Sequence, residues 1–88
     1  MKLKEGLIFH AVGEEHMAVA TGEAAKSFNG IIRNNETAAY IFELLQEEIT
    51  EENIVEAMCE RYDAPKDVIA SDVADVVDRI RKAGLLHE

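Results

Sequence analysis

The side chains able to do covalent or acid–base chemistry are few, and their spacing does not bring them together. Ser27 and Ser71 stand outside any glycine-flanked nucleophile turn, and His10, His16 and His87 are too scattered to form a triad with either. The lone thiol, Cys59, lies between Met58 and Glu60 in an acidic stretch. Neighbouring carboxylates oppose thiolate formation there, so Cys59 reads as a buried structural thiol. A zinc site needs close ligand pairs, which His10, His16 and Cys59 do not make. The two histidines flank a turn and read as a cross-strand pair on an exposed face. Glu47-Glu48 and Glu51-Glu52 read as surface and capping residues rather than an acid/base dyad. No enzyme activity is expected, and no cofactor or metal.

What remains is recognition, and charge narrows it. The chain has 88 residues and a net charge of −9. Residues 35–78 hold thirteen acids against Arg61 and Lys66, while residues 1–34 balance and the last ten are net positive. Phosphate-backbone binding needs clustered Lys and Arg, so this distribution argues against it. The plainer account is a solvated helix surface that keeps the protein soluble, and the alternative is a site for a basic partner. A partner carrying some Lys or Arg is the expectation that follows from net charge alone. One cysteine cannot make an internal disulfide, which favours a reducing compartment. The apolar run Leu7-Ile8-Phe9 stops at His10, too short for a secretion signal, and nothing approaches the roughly 18 apolar residues of a membrane span. A cytoplasmic protein of one domain, residues 1–88, is expected, with no membrane partner.

The elements that must position any binding groups follow from periodicity. Leu7–Val12 and His16–Ala20 alternate as a hairpin around Gly13-Glu14-Glu15. The connection Thr21–Asn29 is weakly patterned, with room for one helical turn, and Gly30–Arg33 supplies a third short strand. Asn34 or Asn35 then caps a helix with Glu36 in its first turn and Ala38, Ile41, Phe42 and Leu45 on one face, extended by Leu44 and Ile49. Thr50 caps a second helix that buries Ile54, Val55, Met58 and Tyr62 and ends at Asp63-Ala64-Pro65. A third helix, Pro65 to Ala83, carries the stripe Val68, Ile69, Val73, Val76, Val77 and Ile80, with Gly84 beyond its end and Leu85 or Leu86 folding back on the core. The expected fold is α+β and winged helix-turn-helix-like, an N-terminal three-stranded antiparallel sheet followed by three helices.

That layout raises DNA binding, but the third helix mixes Lys66, Arg79, Arg81 and Lys82 with Asp67, Asp72, Asp75 and Asp78. Carboxylates repel phosphates, so a DNA-binding regulator is the runner-up, and a structural subunit dimerising through its sheet edge is the third reading. A small sheet also has an edge with unpaired backbone groups, to which an extended peptide can add. A strand running straight into a helix at Asn34-Asn35 holds such an edge beside a fixed wall.

The order of these features resembles the PqqD family, the pyrroloquinoline-quinone biosynthesis protein D group. Asn35-Glu36-Thr37 leads into an apolar helix ending in Leu44-Leu45, then come the Thr50 cap, Tyr62-Asp63, Asp72-Val73 and the closing Gly84-Leu85-Leu86. The resemblance spans about Leu7 to Leu86. It implies a peptide-binding module, the RiPP recognition element, which holds the leader region of a ribosomally made precursor peptide. Such a module presents the peptide to a modifying enzyme, often a radical S-adenosylmethionine protein. The leader would join the sheet beside the third strand and touch the third helix. Carried onto this chain, those walls are Ile31, Ile32 and Arg33 with some of Val73, Val76, Val77 and Ile80.

Overall fold

In the computed structural model, which describes residues 1–27 and 30–88, the chain runs through nine elements. They are β1 (Lys2–Leu3), β2 (Leu7–Val12), β3 (Glu15–Ala20), α1 (Gly22–Ser27), β4 (Ile31–Asn34), α2 (Glu36–Leu44), α3 (Glu51–Arg61), α4 (Lys66–Lys82) and β5 (Leu86–His87). The alternating segments pair as the antiparallel sheet β2-β3-β4, with β3 in the middle. The hairpin turn is tighter than the sequence suggests. Val12 pairs with Glu15, so Gly13 and Glu14 alone make the turn and Glu15 begins β3. The helical turn expected within Thr21–Asn29 is α1, and Phe28 and Asn29 lie outside the described residues.

Two further strands had no sequence signal. β1 and β5 pair through Lys2 with His87 and Leu3 with Leu86, and Lys4 N–H donates to the Leu85 carbonyl at 2.9 Å. The tail therefore does more than lean on the core. Leu85 is fully buried and Leu86 sits half-buried in β5. Gly6 lets β2 start where it does: its φ is 105°, and a Cβ there would lie 2.0 Å from the Thr21 carbonyl oxygen. No side chain fits such a gap.

The helices fold as their apolar spacing requires. α2, α3 and α4 bury Ile41, Phe42, Ile54, Val55, Met58, Ile69, Val73, Val76, Val77 and Ile80 in one cluster with Leu3, Leu45 and Leu85. Thr50 caps α3 through its hydroxyl, which accepts from Asn53 N–H at 3.1 Å. Pro65 sits outside α4 with ψ 140°, so the helix begins one residue later than the sequence reading has it. At the far end Gly84 N–H donates to the Arg81 carbonyl at 3.0 Å and Leu85 N–H to Ile80 at 3.2 Å. Together these bonds close the helix in the glycine-dependent Schellman form. Val68 leaves the stripe assigned to it: it is 49% exposed, one position ahead of buried Ile69. Among the described residues no helix is long and apolar enough to cross a membrane.

Candidate functional site: an open strand edge above an apolar cleft

Antiparallel strands alternate between residue pairs that exchange hydrogen bonds and pairs that do not. Thr21 N–H donates to the Gly6 carbonyl at 2.8 Å, and Ala20 N–H donates to Gly30 across the other side of β3. Applied to the register, these two bonds make the odd residues of β3 partners of β2 and the even residues partners of β4. Ala18 therefore bonds Ile32, and His16 bonds Asn34. Ile31 and Arg33 direct their N–H and C=O groups away from the sheet, along the open edge of β4.

Side-chain faces follow the same register. Ala18, Ile32 and Asn34 share the face turned to the helices, and Val19, Ile31, Met17 and Arg33 share the outer one. Ile31 is accordingly 58% exposed and Ile32 half-buried against the core. The register also separates the histidines. His10 pairs with Met17 and His16 with Ala11, so the two rings lie on opposite faces and are not the cross-strand pair their spacing suggests.

Beside the β4 edge lies a cleft of about 170 Å³, lined by Ile32, Arg33, Asn34, Phe42, Val76, Arg79, Ile80 and Ala83. Of the seven residues assigned to the peptide walls from sequence, Ile32, Arg33, Val76 and Ile80 line it. Ile31 lies on the outer face, while Val73 and Val77 have no exposed surface and belong to the core. Four lining residues were absent from that assignment: Asn34, Phe42, Arg79 and Ala83. Helical spacing from Val76 (79 and 83 follow at steps of three and seven, with Ile80 between them at four) is the signal that finds two of them, Arg79 and Ala83.

The wall is fixed to the edge by the Asn34-Asn35 junction. Asn35 caps α2, its side-chain oxygen accepting from Ala38 N–H at 2.8 Å. Alanine at Asn35 is expected to cost about 1 kcal/mol and lower Tm by roughly 4–8 °C, read by thermal melting. An unchanged Tm would mean that the cap does not hold the junction.

A larger hollow of about 490 Å³ sits under the outer end of the hairpin, lined among others by Phe9, His16, Glu36, Tyr40, Glu43 and Arg61. The Arg61 guanidinium lies 4.2 Å from the Tyr40 ring centroid. The sheet's other open edge, β2, is exposed along nearly all its length. It borders a hollow of about 220 Å³ lined by Leu3, Glu5, Leu7, Phe9 and Gln46 among others, whereas the cleft at the β4 edge reaches from that strand's own residues to Phe42 of α2 and to α4. Among the described residues no cluster of His, Cys, Asp or Glu is arranged to hold a metal ion.

Comparison with known proteins bears on this site. The family model described as Coenzyme PQQ synthesis protein D (PqqD) matches residues 13–86. No curated protein matches by sequence. Among solved structures, TbiB1 in complex with the TbiA(beta) leader peptide superposes with a TM-score of 0.77 at 20% identity, covering 99% of this chain and 95% of that one. At that identity the likeness is one of fold.

Proposed function

The chain belongs to the PqqD family, and from that premise we propose that it is a noncatalytic peptide-binding module. It captures the leader segment of a ribosomally made precursor peptide by strand addition at β4 and presents it to a modifying enzyme. The observation that carries this reading is the pairing of two outward backbone donors, at Ile31 and Arg33, with an apolar cleft beneath them. An added strand takes its hydrogen bonds from the first and seats alternate side chains in the second. Each such bond contributes about 0.5–1.5 kcal/mol, and a buried Leu- or Phe-sized anchor about 1.5–3 kcal/mol. The solved TbiB1 complex, in which a protein of this fold holds a leader peptide, supports the reading. Residues 1–88 act as one binding unit in the cytoplasm, beside a radical S-adenosylmethionine or comparable enzyme that supplies the chemistry.

Hydrogen exchange tests the assignment directly. In the free protein the Ile31 and Arg33 amides are expected to exchange fast and the Ile32 amide slowly. A leader peptide from a neighbouring precursor gene is expected to protect Ile31 and Arg33. Protection at Leu7, Phe9 and Ala11 instead, the outward positions of β2, would move the site to the opposite edge and refute the proposal.

A further inference from the structure

The charges around the cleft bear on which segment it takes, a question that rests on the edge-docking reading above. Of its eight lining residues the only charged ones are Arg33 and Arg79. In a chain with 18 acids against 9 bases, a small cleft with Arg79 on its helix wall, Arg33 at its rim with its side chain on the outer face of β4, and no lining carboxylate runs against composition. The neighbouring cations are occupied. Lys82 pairs with Asp78 at 2.9 Å, which lowers the carboxyl's pKa and raises the ammonium's from their ordinary values. Arg81 holds Glu88 through two bonds, at 2.7 and 2.9 Å, with the same two directions of shift. Arg33 and Arg79 form no ion pair among the described residues, although Asp75 stands one helical turn before Arg79. Nor do the carbonyls at the end of α4 compete for them as free acceptors. Those of Arg79, Ile80 and Arg81 already accept from Ala83, Leu85 and Gly84.

We propose that this cleft selects an extended segment bearing a carboxylate next to its apolar anchor. Asp or Glu in the added strand would pair with Arg33 along the edge or with Arg79 on the helix wall, while the anchor fills the space between Ile32, Phe42, Val76 and Ile80. Local charge opposes the expectation drawn from the net −9. Screening decides between them: at physiological salt the Debye length is about 8 Å, so acids on remote helix faces slow the approach of an anionic segment but hardly alter the bound state.

The test uses the full chain and a display library of short random segments, scored for enrichment and for protection of the Ile31 and Arg33 amides. Enriched segments are expected to carry Asp or Glu beside a large apolar residue. Changing that acid to its amide is expected to weaken binding about two- to fivefold at low salt. The Arg33→Gln/Arg79→Gln variant should erase the difference, and Arg33→Glu/Arg79→Glu should turn the preference toward Lys or Arg. The neutral variant keeps the experiment decisive should the charge-reversed one fail to fold by circular dichroism. Segments that protect the edge amides yet are indifferent to Asp, Asn and Lys would overturn the charge selection and leave edge docking standing. If no segment protects those amides, both readings fall.

Discussion

Proline in place of Arg33 is expected to leave the domain folded and to block docking of an extended peptide, whereas proline in place of Ile32 is expected to unfold the sheet. The contrast follows from one backbone parity. Proline removes the amide donor, and the Ile32 donor points inward to Ala18 while the Arg33 donor points to the open edge. At Ile32 the change also removes a half-buried side chain packed on the core. At Arg33 it breaks no bond of the free sheet and removes the donor, with the side-chain charge, that the incoming strand would have used. Leaving that strand's carbonyl unpaired costs about 1–3 kcal/mol, roughly 5- to 150-fold in Kd. Arg33→Gln separates the two roles of the position, since it keeps the amide and loses the charge. Circular dichroism reports folding, and calorimetric titration with a leader peptide reports binding. Should the Arg33→Pro protein bind as the parent does while folded, the parity argument is wrong and docking on the helices alone survives.

The largest effect on stability is expected at Ile41. Its side chain is fully buried on the face of α2 that meets the common core. Truncation to alanine removes that apolar surface and leaves a cavity, a loss of about 2–5 kcal/mol. A chain of 88 residues is expected to have only about 4–13 kcal/mol in all. Ile41→Ala should therefore lower the urea midpoint steeply without changing the slope of the transition. Val68→Ala, at a half-exposed position, should move it by no more than about 0.5 kcal/mol. Equal effects at the two sites would contradict the burial described for α2 and α4.

Much of this architecture was legible because it repeats. The spacing of Ala38, Ile41, Phe42 and Leu45, the Thr50 cap and Gly84 after the last helix each carry a local rule, and the chain obeys all three. β1 and β5 were not legible, since two residues cannot display a period. Their partners lie more than eighty positions apart, and no local rule reaches that far. The same divide runs through the site. Sequence placed Ile31, Ile32 and Arg33 on one strand and the α4 valines on one helix. It did not say which side of the strand each occupies, because a slip of one residue exchanges the two faces. Two hydrogen bonds, one on each side of β3, fix that parity. The cleft's Phe42 was read only as core, although it closes the floor under β4 and also meets Phe9 edge-on at 6.0 Å.

The β1–β5 pairing closes residues 2–87 almost into a ring. Lys2 lies opposite His87 and Leu3 opposite Leu86, so the first and last strands run side by side. A short bridge across them would ask for little loop-closure entropy beyond what folding has already met. The hairpin tip at Gly13 touches nothing within 4 Å at the position a Cβ would take, which makes it a natural place to cut the ring open again. The β4 edge and its cleft contain neither the seam nor that tip. Their geometry belongs to the closed circuit of contacts, and a circular permutant reading from Glu14 round to Gly13 would carry it unchanged.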